Sequence, residues 1–449
     1  MLLIFIITNI FFKNIVNPCM QKIIFSLVAL LSLYCTTAQS IKKRQVKRIE
    51  KTLSADDMQG RRTFTPGIEK ASVFIESEFK KIGLHTFNGA VNYRQDFFMT
   101  VATTNAAKIT IDGKQVADSL IANFSYLPQI LITENSNVEV VKINAQDKFW
   151  PKFSEYYKSK KNLLVLVDPS FNNFIKNVKG IDKISAAPGI NAIVFIFGTT
   201  AATRFSIDIT NSLEKKALNN VVGVLTGKSK PDEYVIFSGH YDHLGVGSPV
   251  EGMPHNNKDS IYNGANDDAA GTTAVLMLAK YFKKLNNNER TLIFTTFAAE
   301  ELGGYGASYF SKQLAPEKVI AMFNIEMIGT PSKWGANSAY ITGFEKSDMG
   351  TILQKNLKGT NFSFYPDPYP EQQLFYRSDN ATLARLGVPA HTISTSKMDS
   401  EPNYHKASDE IGTIDMKNMT AIIKSIAISA TTIISGEDTP SRVDTSKLK

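Results

Sequence analysis

Histidine and carboxylate side chains gather at the ends of four apolar runs in this chain. Tyr234 to Ser238 leads into Gly239-His240-Tyr241-Asp242-His243, and a loop follows to Asn263-Gly264-Ala265-Asn266-Asp267-Asp268-Ala269-Ala270-Gly271. Thr291 to Phe297 leads into Ala298-Ala299-Glu300-Glu301, Val319 to Phe323 into Asn324-Ile325-Glu326, and Pro389 to Ser394 towards Tyr404-His405. These residue types are the ones a pair of divalent ions needs: an anionic bridge, nitrogen and oxygen ligands on each side, and a carboxylate left free as a base. An adjacent Glu300-Glu301 pair at a strand end can divide the last two tasks, because neighbouring side chains there diverge. Taken singly, each residue also has an ordinary structural reading: a core histidine, an exposed acidic turn at Glu300-Glu301, or a helix cap at Asp267-Asp268. A carboxylate such as Glu326 that ends a buried run demands a partner, and the recurrence in order, each after a strand-like run, favours a hydrolytic centre holding metal.

Elements that could position these residues are legible in the flanking pattern. Apolar runs alternate with helical patterns such as Ala269 to Leu285 and Ala307 to Leu314, which predicts an α/β fold: a mixed, largely parallel sheet covered by helices on both faces. In such sheets ligands gather beyond the carboxyl ends of the strands. Thr65-Pro66 can start a helix carrying Ile68, Ala71, Ile75, Phe79 and Ile82 on one face, with Gly83 to stop it. A last helix presents Met416, Met419, Ile423 and Ile426.

Residues 98–219 have a different texture, with a hairpin around Asp112-Gly113 and buried strands at Asn162 to Val167 and Asn191 to Phe197. This stretch reads as an inserted, smaller β-rich domain. It divides the main domain into residues 39–97 and 220–436, and residues 437–449 read as a flexible tail.

At the amino terminus, Met20-Gln21-Lys22, an apolar stretch from Ile23 to Tyr34 and Thr36-Thr37-Ala38 form a secretory signal, so residues 1–38 are expected to be removed and translation is read as starting at Met20. The segment from Leu2 to Phe12 is too short to span a bilayer. Export to the periplasm or medium is therefore expected; a lipoprotein anchor would use Cys35, but Tyr34 occupies a place that needs a small residue. Both cysteines, Cys19 and Cys35, fall within the leader, which removes disulfides and cysteine nucleophiles from consideration. The formal charge is +8. Much of it lies at Lys42, Lys43, Arg44, Lys47, Arg48 and Lys51, so no basic face for nucleic acid is expected on the body of the protein. No membrane insertion is expected after cleavage of the leader.

Taken together, these motifs resemble the co-catalytic di-zinc aminopeptidases of clan MH, the bacterial leucyl aminopeptidase and glutamate carboxypeptidase-like enzymes. The resemblance extends from Leu53-Ser54-Ala55-Asp56-Asp57-Met58-Gln59-Gly60-Arg61-Arg62 through the runs above and Arg377-Ser378-Asp379 to Tyr404-His405. It implies a zinc exopeptidase fold with an insert similar to a protease-associated domain, two zinc ions (Zn2+), and peptide substrates. Asp267 would be the bridging carboxylate, with Glu301 and His405 completing one zinc site and His240 and Glu326 the other. Glu300 would be the general base, Asp242 would orient the His240 ring, Tyr404 would donate to the oxyanion, and the Asp267-Asp268 peptide would be cis. The implied reaction is metal-assisted amide hydrolysis, most simply by an aminopeptidase. A single-zinc glutaminyl cyclase-like acyltransferase and an inactive receptor-like binding protein are the alternatives on the same scaffold. Two positions depart from the aminopeptidase pattern: Glu326 stands where aspartate is usual, and Asn380 where histidine often follows Ser-Asp.

Overall fold

The computed structural model describes residues 41–247 and 259–448; the leader read at residues 1–38 lies outside them. Two helices open the chain. In the first, α1 (Lys43–Leu53), Val46, Ile49 and Leu53 are buried on one face while the lysines and arginines stay in water. The second, α2 (Pro66–Ile82), starts on proline, whose fixed φ suits the first helical position, and ends on Gly83 in the left-handed region at φ 78°.

Strands then build two sheets. β1 (Arg94–Ile111) turns at Asp112-Gly113 into β2 (Lys114–Gln115). β3 (Ile121–Asn123), β4 (Glu139–Ile143), β5 (Leu163–Val167) and β7 (Ile193–Phe197) form a small sheet in the order β3-β7-β5-β4, and β6 (Ile184–Ser185) pairs with β1. Its two faces are separate cores: Leu164 and Leu166 pack with Ile109 and Ile207, whereas Leu163, Val165 and Val167 pack on Phe149 and Phe153 of α3 (Phe149–Tyr157). This is the period-2 alternation of a sheet covered on both sides.

The main sheet runs β13-β12-β14-β11-β9-β10-β8-β1-β2 along its principal path. Here β8 is Phe205–Leu225, β9 Lys230–His240, β10 Arg290–Phe297, β11 Val319–Ile325, β12 Ser338–Ile341, β13 Ser363–Pro366 and β14 Ala390–Ser394. The central β10-β9-β11-β14 block is parallel, and β8 and β12 join it antiparallel. Val235 and Phe237 of β9 face a core with α1, α2, α4 (Ala270–Leu285) and α6 (Met416–Ser429). Ile236 faces the opposite core with Phe310 of α5 (Tyr305–Ser311) and Leu383. The sheet is thus covered on both faces, as the alternation of runs predicts. At its centre the Phe237 ring stacks between Phe294 at 5.6 Å and Phe323 at 4.8 Å.

Two features differ from the reading of the sequence. The boundaries placed at residues 98 and 219 fall inside β1 and β8, which pair with each other over almost their whole length and belong to both parts of the molecule. Composition changes there because the packing partner changes, while the strands continue. The segment after Gly436, expected to be a flexible tail, is docked. The buried Arg290 donates to the Asp438 carbonyl at 2.7 Å and the Thr439 hydroxyl at 2.6 Å, Arg442 donates to the Val319 carbonyl at 2.7 Å, and Val443 is 4% exposed. Its polar composition hides these anchors, which come from arginines and carbonyls distant in sequence.

Candidate metal centre

Parallel register brings the chemistry to one edge. His240, the last residue of β9, lies opposite Phe297, and Ser238 lies opposite Asn324. Glu300 and Glu301 therefore emerge just past β10, and Glu326 just past β11, beside His240. The turn that carries the glutamates is opened by Ala299 at φ 60° and closed by Gly303 and Gly304, whose N–H groups donate to the Glu300 carbonyl.

Asp267 enters from the turn before α4, held by its own N–H and that of Asn266 donating to the Asp409 carboxylate at 3.0 and 2.9 Å. The Asp267-Asp268 peptide is cis. The Asp268 carboxylate accepts from the N–H groups of His240, Gly271 and Met327 at 3.1, 3.0 and 3.1 Å, which ties this turn to the ends of β9 and β11. A side chain at Gly271 would collide with the Ile325 carbonyl oxygen and with Asp268, so only glycine lets α4 approach this closely.

From the opposite side the fully buried Arg61 donates to the carbonyls of Tyr241, Leu53, Asn263 and Gly264 at 2.8, 2.7, 2.6 and 2.9 Å. One guanidinium thus braces two of the loops that deliver potential ligands, those of His240 and Asp267.

Asp267 stands at the centre of the cluster. Its Oδ1 is 3.2 Å from His240 Nε2, and its Oδ2 is 3.3 Å from His405 Nε2. His240, Asp267 and Glu326 have potential ligand atoms within 4.8 Å of one another, and so do His243, Asp267 and Glu301. His405 Nε2 is also 3.3 Å from Glu301 Oε2. All five residues expected to hold metal are therefore brought together, with Glu300 Oε2 3.9 Å from His240 Nε2.

His243 is the residue that reasoning from sequence missed. Its Nδ1 is 2.7 Å from Glu301 Oε1 but 4.0 Å from Asp267, so it holds the oxygen of Glu301 that does not face His405. Its place three residues after His240 was the only signal available.

Asp242 is placed differently from its expected task. The nearest acceptor to His240 Nδ1 is the Asp242 carbonyl at 3.2 Å, and the carboxylate is 3.7 Å away. The carboxylate instead accepts from the N–H groups of Glu300 and Glu301 at 3.1 and 3.3 Å. The reason is geometric: the Ala299 turn points those N–H groups back at the end of β9, and no other acceptor among the described residues meets them. Asn380, the other departure from the aminopeptidase pattern, is a brace; its amide donates to the Phe375 and Ala390 carbonyls at 3.0 and 3.2 Å and accepts from the Thr392 hydroxyl at 2.8 Å. Tyr404 stacks on the His405 ring at 3.9 Å and lines the same cavity as Asp267, Glu300 and Glu326.

The donor set fits a metal. With Nδ1–H directed at a carbonyl, His240 turns an Nε2 lone pair inward, and that atom and Glu326 Oε2 are buried without hydrogen-bond partners. Electrostatics point the same way. Burial opposes charge on His405, yet its hydrogen bonds to Asp267 and Glu301 and their charges push its pKa up to about 10. Burial, reinforced by the charges of Glu326, Asp379 and Glu301, raises Glu300 well above the carboxylate range in spite of His240. So many carboxylates in one buried place require compensating cations; imidazoles stand among them, and divalent ions would suit the donor set better.

Comparison with known proteins agrees with this geometry. Residues 220–429 match the model of peptidase family M28. The chain carries an M28 peptidase domain. Over 92% of its length it superposes on an aminopeptidase from Aneurinibacillus sp. strain AM-1 with a TM-score of 0.55 and 18% identity, covering 98% of that chain. Over 90% it superposes on a zinc aminopeptidase from Bacillus subtilis with a TM-score of 0.53 and 14% identity, again covering 98% of that structure. At these identities the likeness is one of fold. In sequence, the chain is 30% identical over 144 residues to a probable zinc metalloprotease of Pyricularia oryzae and 26% identical over 135 residues to the aminopeptidase NAALADL1 of Mus musculus. These stretches span 30% and 28% of the present chain but only 27% and 16% of the relatives.

Proposed function

We propose that the protein is an exported, zinc-dependent exopeptidase that removes amino-terminal residues from peptides, working with two zinc ions. The observation that carries this reading is that two groups of potential ligands share Asp267 while Glu300 stands beside them with no ligand position of its own. Asp267 would bridge, His240 and Glu326 would hold one ion, and Glu301 and His405 the other, with His243 bracing Glu301. Zinc held by these residues would supply Lewis acidity, towards a carbonyl and towards water, near neutral pH. Glu300 accepts the proton of the attacking water and hands it to the leaving amine, a task suited to a carboxylate whose surroundings raise its pKa. The Tyr404 hydroxyl donates to the oxygen on which charge develops. The acidic wall of the cavity, formed by Glu300, Glu326 and Asp267, favours a substrate that arrives with a protonated amine. Export rests on the reading of residues 1–38.

The test is metal counting on purified protein with a panel of aminoacyl, carboxyl-terminal and amino-terminal glutaminyl substrates. About two zinc ions per chain and cleavage that requires a free amino terminus are expected, with activity lost on chelation. Full activity with one tightly held zinc and cyclisation of glutaminyl peptides would overturn the reading.

A further inference from the structure

A second site lies outside the metal centre, on the outer edge of β1. Among the described residues that edge is paired at two places, Thr100 and Val101 in mid-strand with β6, and Thr110 and Ile111 at the end with β2. Ala102 N–H donates to the Lys183 carbonyl at 2.9 Å and the Ile109 carbonyl accepts from Val116 at 2.9 Å, which extends the pairing by one residue each way. Between them, residues 103–108 have strand partners only in β8 among the described residues, with Asn105 bulged out of that ladder, and Thr103, Asn105, Ala106 and Lys108 are exposed. Natural sheets usually cover or disrupt such an edge. Here it borders a cavity of about 450 Å³ whose far wall is β3 and the stretch from Val178 to Lys183.

Lys183 gives the cavity its chemistry. The side chain is half-buried, and its ammonium donates to the Thr104 hydroxyl at 2.7 Å. Among the described residues no carboxylate pairs with it; the neighbouring Asp182 is engaged by Arg62 at 3.0 Å. Burial lowers the Lys183 pKa to about 8, so the group is still largely charged at neutral pH. A partly buried ammonium whose partner is a neutral hydroxyl would be stabilised by an anion beside it. It stands beside the stretch of β1 that has no outer strand partner among the described residues.

We propose that this cavity binds an extended peptide carrying a free carboxyl terminus: the chain adds as a strand to residues 103–108 of β1, and its carboxylate pairs with the Lys183 ammonium. Strand addition supplies main-chain hydrogen bonds and the lysine supplies the terminal anchor. At about 3.3 Å per residue, this edge accommodates roughly six residues of peptide. Ile181 and Asp182 also line a second cavity, of about 270 Å³, that reaches His243 and Glu301, so this stretch stands between the proposed site and the one beside the metal centre. The proposal does not depend on the hydrolytic reading.

The experiment uses the full zinc-loaded protein and fluorescent hexapeptides of alternating valine and threonine, blocked at the amino end and ending either in a free carboxylate or in an amide. Binding is followed by anisotropy. The free acid is expected to bind about ten- to a hundredfold more tightly than the amide. Lys183→Met should abolish that preference and Lys183→Arg should keep it, with turnover of a short aminoacyl substrate unchanged in both. N-methylation of alternate peptide nitrogens should weaken binding of the acid. Equal binding of acid and amide, an undiminished preference in Lys183→Met, or no saturable binding would overturn the site. Loss of the preference on zinc removal would assign the carboxylate to the metal centre instead, and unimpaired binding of the N-methylated peptide would overturn strand addition.

Discussion

Replacing Asp242 by asparagine separates two roles that a carboxylate beside a histidine ligand could play. Asp242 is fully buried, and its two oxygens accept from the N–H groups of Glu300 and Glu301 at 3.1 and 3.3 Å. Asparagine keeps one acceptor oxygen, but its NH2 group turns a donor towards the other N–H. One charge-assisted hydrogen bond is lost and a buried donor is left without an acceptor, a change worth roughly 2 kcal/mol. The N–H groups concerned belong to the turn that aims the proposed base. If the loosening is felt there, turnover falls about thirtyfold. The assay is kcat at saturating zinc, alongside zinc affinity from chelator competition and a thermal melt to show that the variant is folded. The expected result is a lower kcat with little change in zinc affinity. A loss of zinc affinity with wild-type kcat once the metal is restored would refute this reasoning and return the carboxylate to the task of orienting the His240 ring.

Glu300→Gln should retain both zinc ions and lose on the order of a hundredfold to ten-thousandfold in turnover, because an amide cannot accept the proton, whereas Glu301→Gln should lose metal first; equal metal loss in the two variants by elemental analysis would contradict the division of roles. Glu326→Asp should weaken its metal site and lower turnover by up to about a hundredfold, since a carboxylate withdrawn by about 1 Å is misplaced; a rise in activity on substrates with free amino termini would show that the site suits aspartate. His391 supplies a test by pH: burial pushes its pKa from 6.5 down to about 4, while its ring bonds the Thr342 carbonyl and the Ser347 hydroxyl. Below its unfolded pKa the unfolded chain takes up a proton that the folded chain refuses, so stability is complete above about pH 6.5 and declines by roughly 3 kcal/mol as pH falls towards 4. Urea melts of zinc-free protein at several pH values check this, and an identical pH slope in His391→Asn would remove His391 as its source.

Local signals were legible in the sequence because they act over a few residues. Pro66 and Gly83 mark the ends of α2, Asp112-Gly113 makes the turn between β1 and β2, and the apolar runs become the parallel block whose carboxyl ends carry His240, Glu300, Glu301 and Glu326. Helical and strand periodicities, caps and turns depend on the chain's immediate neighbours. What only the tertiary structure decided is which groups meet across long separations. Arg61 reaches carbonyls about two hundred residues away at Asn263 and Gly264, and the Asp242 carboxylate meets N–H groups of the turn after β10 instead of the ring two residues before it. His243 meets Glu301, the polar tail finds Arg290, and Lys183 is left in a cavity without a counter-ion among the described residues. Such pairings follow from strand order, register and the turn at Ala299. A single sequence encodes them only through close packing of the whole chain, where a buried donor or charge takes whichever partner the fold places within about 3 Å.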